Sequence, residues 1–441
     1  MASSGKLLRI IRTNNQELGY LSDKLGLRGK MDLVPIIQSV TSIIDSVRQK
    51  GDEAVCLYTE QFDHVSIRPS GFKVSEREIS LSLEQIDVAL LDTMKKAAEN
   101  IRSFHEAQRQ DDLVIPTDNG GYTKLLNRPL DIVGVYVPGG TAPLPSSVLM
   151  NVLPAKAAGV RKIIMCTPPG KDGKVNAAIL AAASIAGVDE IYRIGGAQAI
   201  AAMAYGTDII PRVDKVTGPG NIYVNTAKRL VYGQVDIDMF AGPSEILIIA
   251  DKSANPAYIA ADMLSQAEHD PLASAILITD SEALAGLVAD EVQVRTEKLS
   301  RSETIRQSLS QYGAILVVPD ITNAIDFANE LAPEHLELMV SKPEQYIDKI
   351  KNAGAVFVGL HSPEPLGDYW AGPNHVLPTS GTARFFSPLN TSEFYKKMSI
   401  INYTQDDLSA VWTDIVRFAE AESLPAHAES VRVRFEKDQS R

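Results

Sequence analysis

Apolar positions along the chain follow two different rhythms. Between residues 31 and 110 they recur every three or four positions, which predicts helices over Leu33–Lys50, Asp52–Phe62 and Leu83–Arg109. Ile86, Leu90, Met94 and Ala97 mark the stripe of the last one. Upstream, Leu7, Leu8, Ile10 and Ile11 can form one short apolar face, so residues 1–30 are expected to be a helical N-terminal segment. From Asp131 the rhythm shortens, and β-rich runs end again and again in Gly/Pro turns, each followed by a helical stretch. Ile132–Val137 runs into Pro138-Gly139-Gly140, Lys162–Cys166 into Thr167-Pro168-Pro169-Gly170, and Glu190–Ile194 into Gly195-Gly196. Lys215–Thr217 runs into Gly218-Pro219-Gly220-Asn221, and Ile237–Phe240 into Ala241-Gly242-Pro243-Ser244.

A second series alternates strands Ile246–Ala250, Ser274–Thr279, Ala314–Val318, Leu336–Val340 and Ala355–Val358 with helices. The helices are Pro256–Ala267, Glu282–Lys298, Thr322–Leu331 and Pro343–Asn352. Alternation of this kind implies parallel sheets covered by helices on both faces. The expected fold is therefore α/β, with two doubly wound units and a cleft between them. Ligands in such sheets bind beyond the carboxyl ends of the strands, where the Gly/Pro turns fall. Residues 359–390 read as loop, followed by strand Met398–Tyr403, helix Ala410–Glu422, a loop and a short tail.

Composition narrows the class. At 441 residues, 45% hydrophobic and 22% charged, the chain has the balance of an ordinary soluble protein with two to three domains. A net charge of −12 argues against nucleic acid or anionic membrane as the main partner. Two cysteines give no disulfide framework; Cys56 falls among apolar helical neighbours, and Cys166 has no evident base partner. Arg9 interrupts the only early apolar run and no run is long enough to cross a membrane, so the expected location is cytoplasmic.

The candidate chemistry centres on Leu264–Pro271, at the end of a predicted helix. Gln266 and His269, three apart, project from one face, and a site of N and O donors suits zinc or a similar divalent ion. Asp262, seven residues before His269, lies on roughly the same face and is the more ordinary ligand; spacing alone does not choose between them. Glu334-His335 follows Pro333 at a helix-to-strand turn, where an adjacent acid and base could carry protons, although this is opposite the face where ligands bind. A solvated turn is the alternative. Asp368 and His375 lie in a glycine-rich loop of functional character. Asp368 could give a metal an anionic oxygen, and His427 a second imidazole. His64 and His105 read as surface residues. No stretch fits Gly-x-Gly-x-x-Gly before a helix, so the residues alone do not establish dinucleotide binding.

Seven motifs, taken together, resemble the L-histidinol dehydrogenase family. They are Val137-Pro-Gly-Gly-Thr141, Gly195-Gly-Ala-Gln-Ala-Ile200, Gly218-Pro-Gly-Asn221, Ala241-Gly-Pro-Ser-Glu245, Ser265-Gln-Ala-Glu-His-Asp-Pro271 and Ala332-Pro-Glu-His-Leu-Glu337, and Gly367-Asp-Tyr369 with Pro373-Asn-His-Val-Leu-Pro-Thr379. They occur in the family's order from about Asp131 to His427. The resemblance implies zinc ligands Gln266, His269, Asp368 and His427, so that Gln266 displaces Asp262. It implies a catalytic pair Glu334 and His335, substrate contacts Ser244, His375 and Glu422 beside the metal ligands, and NAD contacts Tyr136, Gln198 and Asn221.

It also implies two incomplete Rossmann-like α/β/α domains. One, 31–135 with 246–390, would carry the metal and catalytic residues, and the other, 136–245, would form the NAD side. Residues 391–441 would be a C-terminal dimerisation segment reaching the partner of a homodimer. The implied reaction is the last step of histidine biosynthesis, L-histidinol to L-histidine through L-histidinaldehyde, with one zinc per subunit and NAD as cofactors. Pro143-Leu144 stands where an Ala-Tyr pair is usual, and Ser423 where Gly is usual. Competing readings are a paralogue acting on another small alcohol, a zinc hydrolase using Glu334, and a two-lobed binding protein.

Overall fold

Both faces of the central sheets are apolar, and the reason is visible strand by strand. In a computed structural model, which describes residues 7–12, 33–139, 143–240 and 242–435, β9 (Glu245–Ala250), β10 (Ser274–Thr279), β11 (Gly313–Val317), β12 (His335–Met339) and β13 (Ala355–Val358) are parallel neighbours. Ile246 and Ile248 point into one core with Leu277 and Ile315, while Leu247 and Ile249 point into another with Ile276, Leu336 and Leu338. Successive residues thus feed opposite cores, so a parallel strand reads as a continuous apolar run. Helices Pro256–Ala267 and Glu282–Thr296 cover the first face, and helix Ile321–Leu331 covers the second.

The chain divides into two compact units, Met1–Gln108 with Leu130–Phe394 and Arg109–Pro129 with Tyr395–Arg441. Within the first, β4 (Ile132–Tyr136), β5 (Lys162–Cys166), β6 (Glu190–Tyr192), β7 (Lys215–Thr217) and β8 (Asp236–Ile237) form a second parallel sheet in the order β6-β5-β4-β7-β8. The larger sheet runs β1-β11-β10-β9-β12-β13, with β1 (Ile10–Arg12) at its edge. Counted from the first strand of each alternating series, both have the order 3-2-1-4-5, the doubly wound arrangement short of its last strand.

The departures from expectation have local causes. Ile10–Arg12 is a strand beside Ile315–Val317, not part of a helix; the β-branched pair Ile10-Ile11 extends a ready sheet edge. Residues 13–30 of the expected N-terminal segment lie outside the described residues, as do Gly140, Thr141 and Ala241 of the predicted turns. The helix expected over Leu83–Arg109 breaks at Ile86 because Asp87 accepts the Leu90 N–H as an N-cap, leaving helices Glu76–Gln85 and Val88–Glu106.

His105 is buried, not a surface residue. It continues the Met94, Ala98, Ile101 stripe, and its Nδ1 sits 2.8 Å from the Ile101 carbonyl. Pro343–Asn352 forms only short 3-10 turns, while helix Ser302–Tyr312 and helix Glu364–Tyr369 arise where none was expected. The helical stripe Val40, Ile43, Ile44 and Val47 packs with Tyr136, Ile164, Ile200 and Met203. The N-terminal helices therefore share a core with the five-stranded sheet, whereas the sequence had grouped 31–135 with 246–390.

The second unit is an antiparallel sheet, β14 (Tyr395–Asn402), β3 (Tyr122–Pro129) and β2 (Leu113–Pro116), with helices Gln405–Ala421 and Pro425–Arg432. Asp407 anchors it by accepting the Thr117 hydroxyl and the Asn119 and Gly121 N–H groups, which helps hold its carboxyl down at about 2 despite burial. Ser423 adopts φ +58°, the left-handed conformation that accounts for the glycine usual at that place. Among the described residues no helix is long and apolar enough to cross a membrane.

Candidate active site

Helix Pro256–Ala267 starts where Asn255 accepts the Ala257 N–H and proline fills the first turn. Its Ile259, Ala260, Met263 and Ala267 are buried in the core, which also draws in Gln266. The Gln266 side chain is fully buried, yet neither Oε1 nor Nε2 has a partner among the described residues. An unsatisfied buried amide group costs on the order of 1–3 kcal/mol, so this one calls for a ligand. The chain then turns, the His269 N–H bonding to the Gln266 carbonyl, and presents His269 to a cleft of about 470 Å³.

The opposite wall comes from register. Strand β12 pairs with β9 so that His335 lies beside Ile246. That places both backbone groups of Glu245 at the catalytic candidates: its N–H donates to Glu334 Oε2 at 2.8 Å, and its carbonyl lies 3.0 Å from His335 Nδ1. A carbonyl only accepts, so Nδ1 carries the hydrogen and Nε2 the lone pair. Burial pushes His335 down to about 4, which keeps that lone pair free at neutral pH. Glu334 Oε2 is 3.7 Å from Nδ1. The turn is neither solvated nor incidental: both side chains are buried at the amino end of a central strand.

Helix Glu364–Tyr369 brings in Asp368. Its N-terminus is tied down by Glu337, a fully buried acid on β12 whose Oε1 accepts the Glu364 N–H at 2.9 Å. Glu337 also hydrogen-bonds Asp262, and burial raises both carboxyls, Asp262 to about 6. Asp262 therefore braces the framework behind the site. His375 Nδ1 is 3.2 Å from the Asp368 carbonyl and 3.6 Å from its Oδ1. Ser244, His269, Glu334, His335, Asp368 and His375 all line the same cleft. Glu422 and His427 belong to the second unit, exposed at the end of helix Gln405–Ala421 and in helix Pro425–Arg432.

Sequence reasoning passed over Glu337, Glu364, Lys228 and Asp238. An acid inside the apolar run Leu336-Glu337-Leu338-Met339 was the available signal, since charges are almost never fully buried without a partner. Lys228 and Asp238 form a buried ion pair around the Gly218 turn. Lys228 Nζ donates to the Gly218 carbonyl at 3.0 Å, and the Gly218 N–H donates to Asp238 at 2.8 Å.

That turn, with Pro219 and Gly220, closes the cleft from the carboxyl edge of the five-stranded sheet. A second cleft of about 1140 Å³ runs along the same edge and contains Tyr136, Gln198 and Asn221. Asn221 caps helix Ile222–Val231, the Tyr136 hydroxyl accepts the Gly196 N–H, and Gln198 is fully buried with neither amide atom partnered among the described residues. Gly218 has φ +113°, and a Cβ there would collide with the Tyr136 carbonyl.

Two doubly wound sheets bordering a polar imidazole–carboxylate cleft, beside a large second cleft, define an α/β enzyme. Residues 27–435 match the family model described as histidinol dehydrogenase. The chain is 51% identical over 429 residues to the histidinol dehydrogenase of Clostridium acetobutylicum, covering 97% of this chain and 99% of that one. It is 54% identical over 401 residues to the Bacillus cereus protein of the same name, covering 91% and 93%. A crystal structure of histidinol dehydrogenase from Elizabethkingia anophelis superposes with a TM-score of 0.93 at 38% identity, covering 98% of each chain. The chain belongs to the histidinol dehydrogenase family, a family of oxidoreductases.

Proposed function

We propose that this chain oxidises L-histidinol to L-histidine through L-histidinaldehyde, the last step of histidine biosynthesis, with two NAD⁺ and one water consumed per turnover. The observation that carries the reading is His335: a buried imidazole with Nδ1 tied to a carbonyl and Nε2 without a hydrogen-bond partner among the described residues, beside Glu334 in a polar cleft.

A divalent ion fits the residues present, because the orphaned Gln266 amide lies three residues before His269 and the site supplies N and O donors. Gln266, His269 and Asp368, with His427 of the partner subunit, would hold one zinc per chain. Bound there, zinc would serve as a template for the substrate's imidazole and amino nitrogens. NAD would occupy the cleft of Tyr136, Gln198 and Asn221 and accept the hydride.

The remaining work falls to side chains. His335 Nε2 takes the hydroxyl proton as the carbinol carbon loses hydride. Glu334 then draws a proton from water as the water oxygen adds to the aldehyde carbon, the protonated His335 returns its proton to the former carbonyl oxygen, and His335, neutral again, takes the hydrate's hydroxyl proton in the second oxidation. General-base assistance of this kind is worth about 10²–10⁴-fold. Ser244, His375 and Glu422 would position the substrate. In this scheme the six-stranded side carries metal and catalysis, the five-stranded side carries NAD, and the 391–441 segment completes the site of a homodimer partner. The cytoplasm is the compartment that suits the reading.

The test is NADH formation from L-histidinol against a panel of other small polar alcohols. About two NADH per histidinol, with histidine as product, is expected by this stoichiometry. Faster turnover of another alcohol would move the substrate assignment to a paralogous reaction. Hydrolysis of a test ester or amide without NADH would replace the reaction class.

A further inference from the structure

Glu364 has no task in the proposed mechanism, yet it is one of the most deeply buried carboxyls in the chain and faces the catalytic imidazole. Its Oε1 lies 3.8 Å from His335 Nε2, with side-chain exposures of 3% and 5%. Neither atom has a hydrogen-bond partner among the described residues. Donor atoms of His335, Glu364 and Asp368 all lie within 4.8 Å of one another.

We propose that His335, Glu364 and Asp368 form a second divalent-cation site, distinct from the set of Gln266, His269 and His427, and that zinc entering it switches the enzyme off. The inference rests on the reading above in one respect: Asp368 is shared between the two ions.

The geometry suits a metal. Zinc–nitrogen and zinc–oxygen bonds of about 2.0–2.2 Å place two tetrahedral donors about 3.4 Å apart, so the His335–Glu364 pair needs only a small side-chain rotation. The Glu245 carbonyl that fixes hydrogen on Nδ1 gives Nε2 the lone pair a metal requires, the usual outer support of a ligating histidine. Glu364 and Asp368 offer two carboxyl oxygens as donors, Glu364 after giving up the proton that burial and the neighbouring Asp368 hold on it. One carboxylate can bridge two ions about 3.5–4 Å apart, as in two-metal enzymes. Inhibition follows directly, because a lone pair donated to zinc cannot accept the substrate's proton. The same Nε2 serves one purpose or the other.

The experiment uses the whole dimeric enzyme, stripped of metal and equilibrated with graded free zinc alone. Bound metal per chain and NADH formation are measured on the same samples. Binding of about two ions per chain is expected, with activity rising as the first enters and falling by about 10²-fold or more as the second saturates, the lower end of what a general base contributes. Glu364→Gln keeps the shape and removes the anionic donor, so it should bind about one ion and show no inhibitory phase.

Should Glu364→Gln fail to fold, Glu364→Asp withdraws the carboxylate by one methylene and should weaken the second ion about tenfold or more, with the first retained. A single ion per chain at every zinc level would overturn the proposal, as would a second ion of unchanged affinity in both Glu364 variants. His269→Ala separates the two readings. Loss of the first ion with retention of the Glu364-dependent one supports both. Retention of both ions overturns the Gln266–His269 set while the Glu364-dependent ion still stands.

Discussion

The two parallel sheets share one strand order and use opposite ends of it. In the five-stranded sheet the order reverses between β4 and β7, and the clefts open at the carboxyl ends of those strands, among glycine turns and helix N-termini. In the six-stranded sheet the equivalent pair is β9 and β12, but Glu245, Glu334 and His335 cluster at the amino ends. The carboxyl ends there carry an ordinary turn, in which Asp251 accepts the N–H groups of Ser253 and Ser341.

The difference is one of material. A carboxyl edge offers backbone N–H groups and close approach, which suits an extended anionic ligand. The amino edge of β12 offers side chains braced from behind by the Glu337–Asp262 pair, which suits proton transfer and metal binding. The familiar rule about carboxyl ends therefore locates one half of the site and misdirects the search for the other.

The largest effect should come from the amino edge. His335→Asn removes the base while keeping a group that can donate to the Glu245 carbonyl. Both half-reactions should slow by about 10²–10⁴-fold, as expected for a lost general base. Glu334→Gln preserves the acceptor for the Glu245 N–H, and should slow oxidation of the aldehyde more than oxidation of the alcohol. NADH release measured separately from histidinol and histidinaldehyde decides this. Equal losses for Glu334→Gln in both would remove the division of labour between the pair.

A paired substitution sharpens the contrast between the edges. On the proposed zinc set, His269→Ala removes one of four ligands and should lose the metal, while dinucleotide binding persists. Gly218→Ala should do the reverse. Its φ of +113° and the Tyr136 carbonyl leave no room for a Cβ, so the turn must shift and NAD affinity should drop by about tenfold or more, at the ~1–3 kcal/mol typical of such backbone strain. Metal analysis and NAD titration on both variants provide the readout. Loss of metal in Gly218→Ala would mean that the two edges are not separable.

Most of this frame was legible in the chain. The strands Lys162–Cys166, Lys215–Thr217, Ser274–Thr279 and Ala355–Val358 and the helix Pro256–Ala267 occur at the expected bounds, because buried parallel strands and capped helices each have a local signature. The families of turns that border the clefts could also be read from glycine and proline alone. What could not be read was long-range. The β-branched pair Ile10-Ile11 permits a strand but does not require one, and its partner lies some three hundred residues away, at Ile315–Val317.

The site was legible in parts for the same reason. His269 stands in a polar segment and Asp368 and His375 in a glycine-marked loop, whereas Glu337 matters through Asp262 and the Glu364 N–H, and Glu364 through His335, all distant in sequence. The tautomer of His335 depends on the β9–β12 register, which no single motif encodes. His105 shows the converse failure. Its helical stripe was readable, but a polar residue type outweighed the spacing.

The smallest effect tests whether the two edges meet in one residue. Leu144 lines both clefts and is 37% exposed, at the start of helix Pro145–Ala158, where tyrosine is usual in the resembling family. A flexible aliphatic side chain offers less flat area to a ring system than an aromatic one, and well-placed aromatic pairs gain about 0.5–1.5 kcal/mol beyond area burial. Leu144→Tyr should therefore lower KM for NAD by about two- to tenfold at this gain. Metal content should not change, and the two half-reactions should respond alike because both use the same cofactor cleft. Steady-state kinetics at saturating histidinol, with metal analysis of the same preparation, gives the answer. A gain confined to one half-reaction, or a change in metal retention, would place Leu144 with the chemistry of the amino edge instead of the backbone turns of the carboxyl edge.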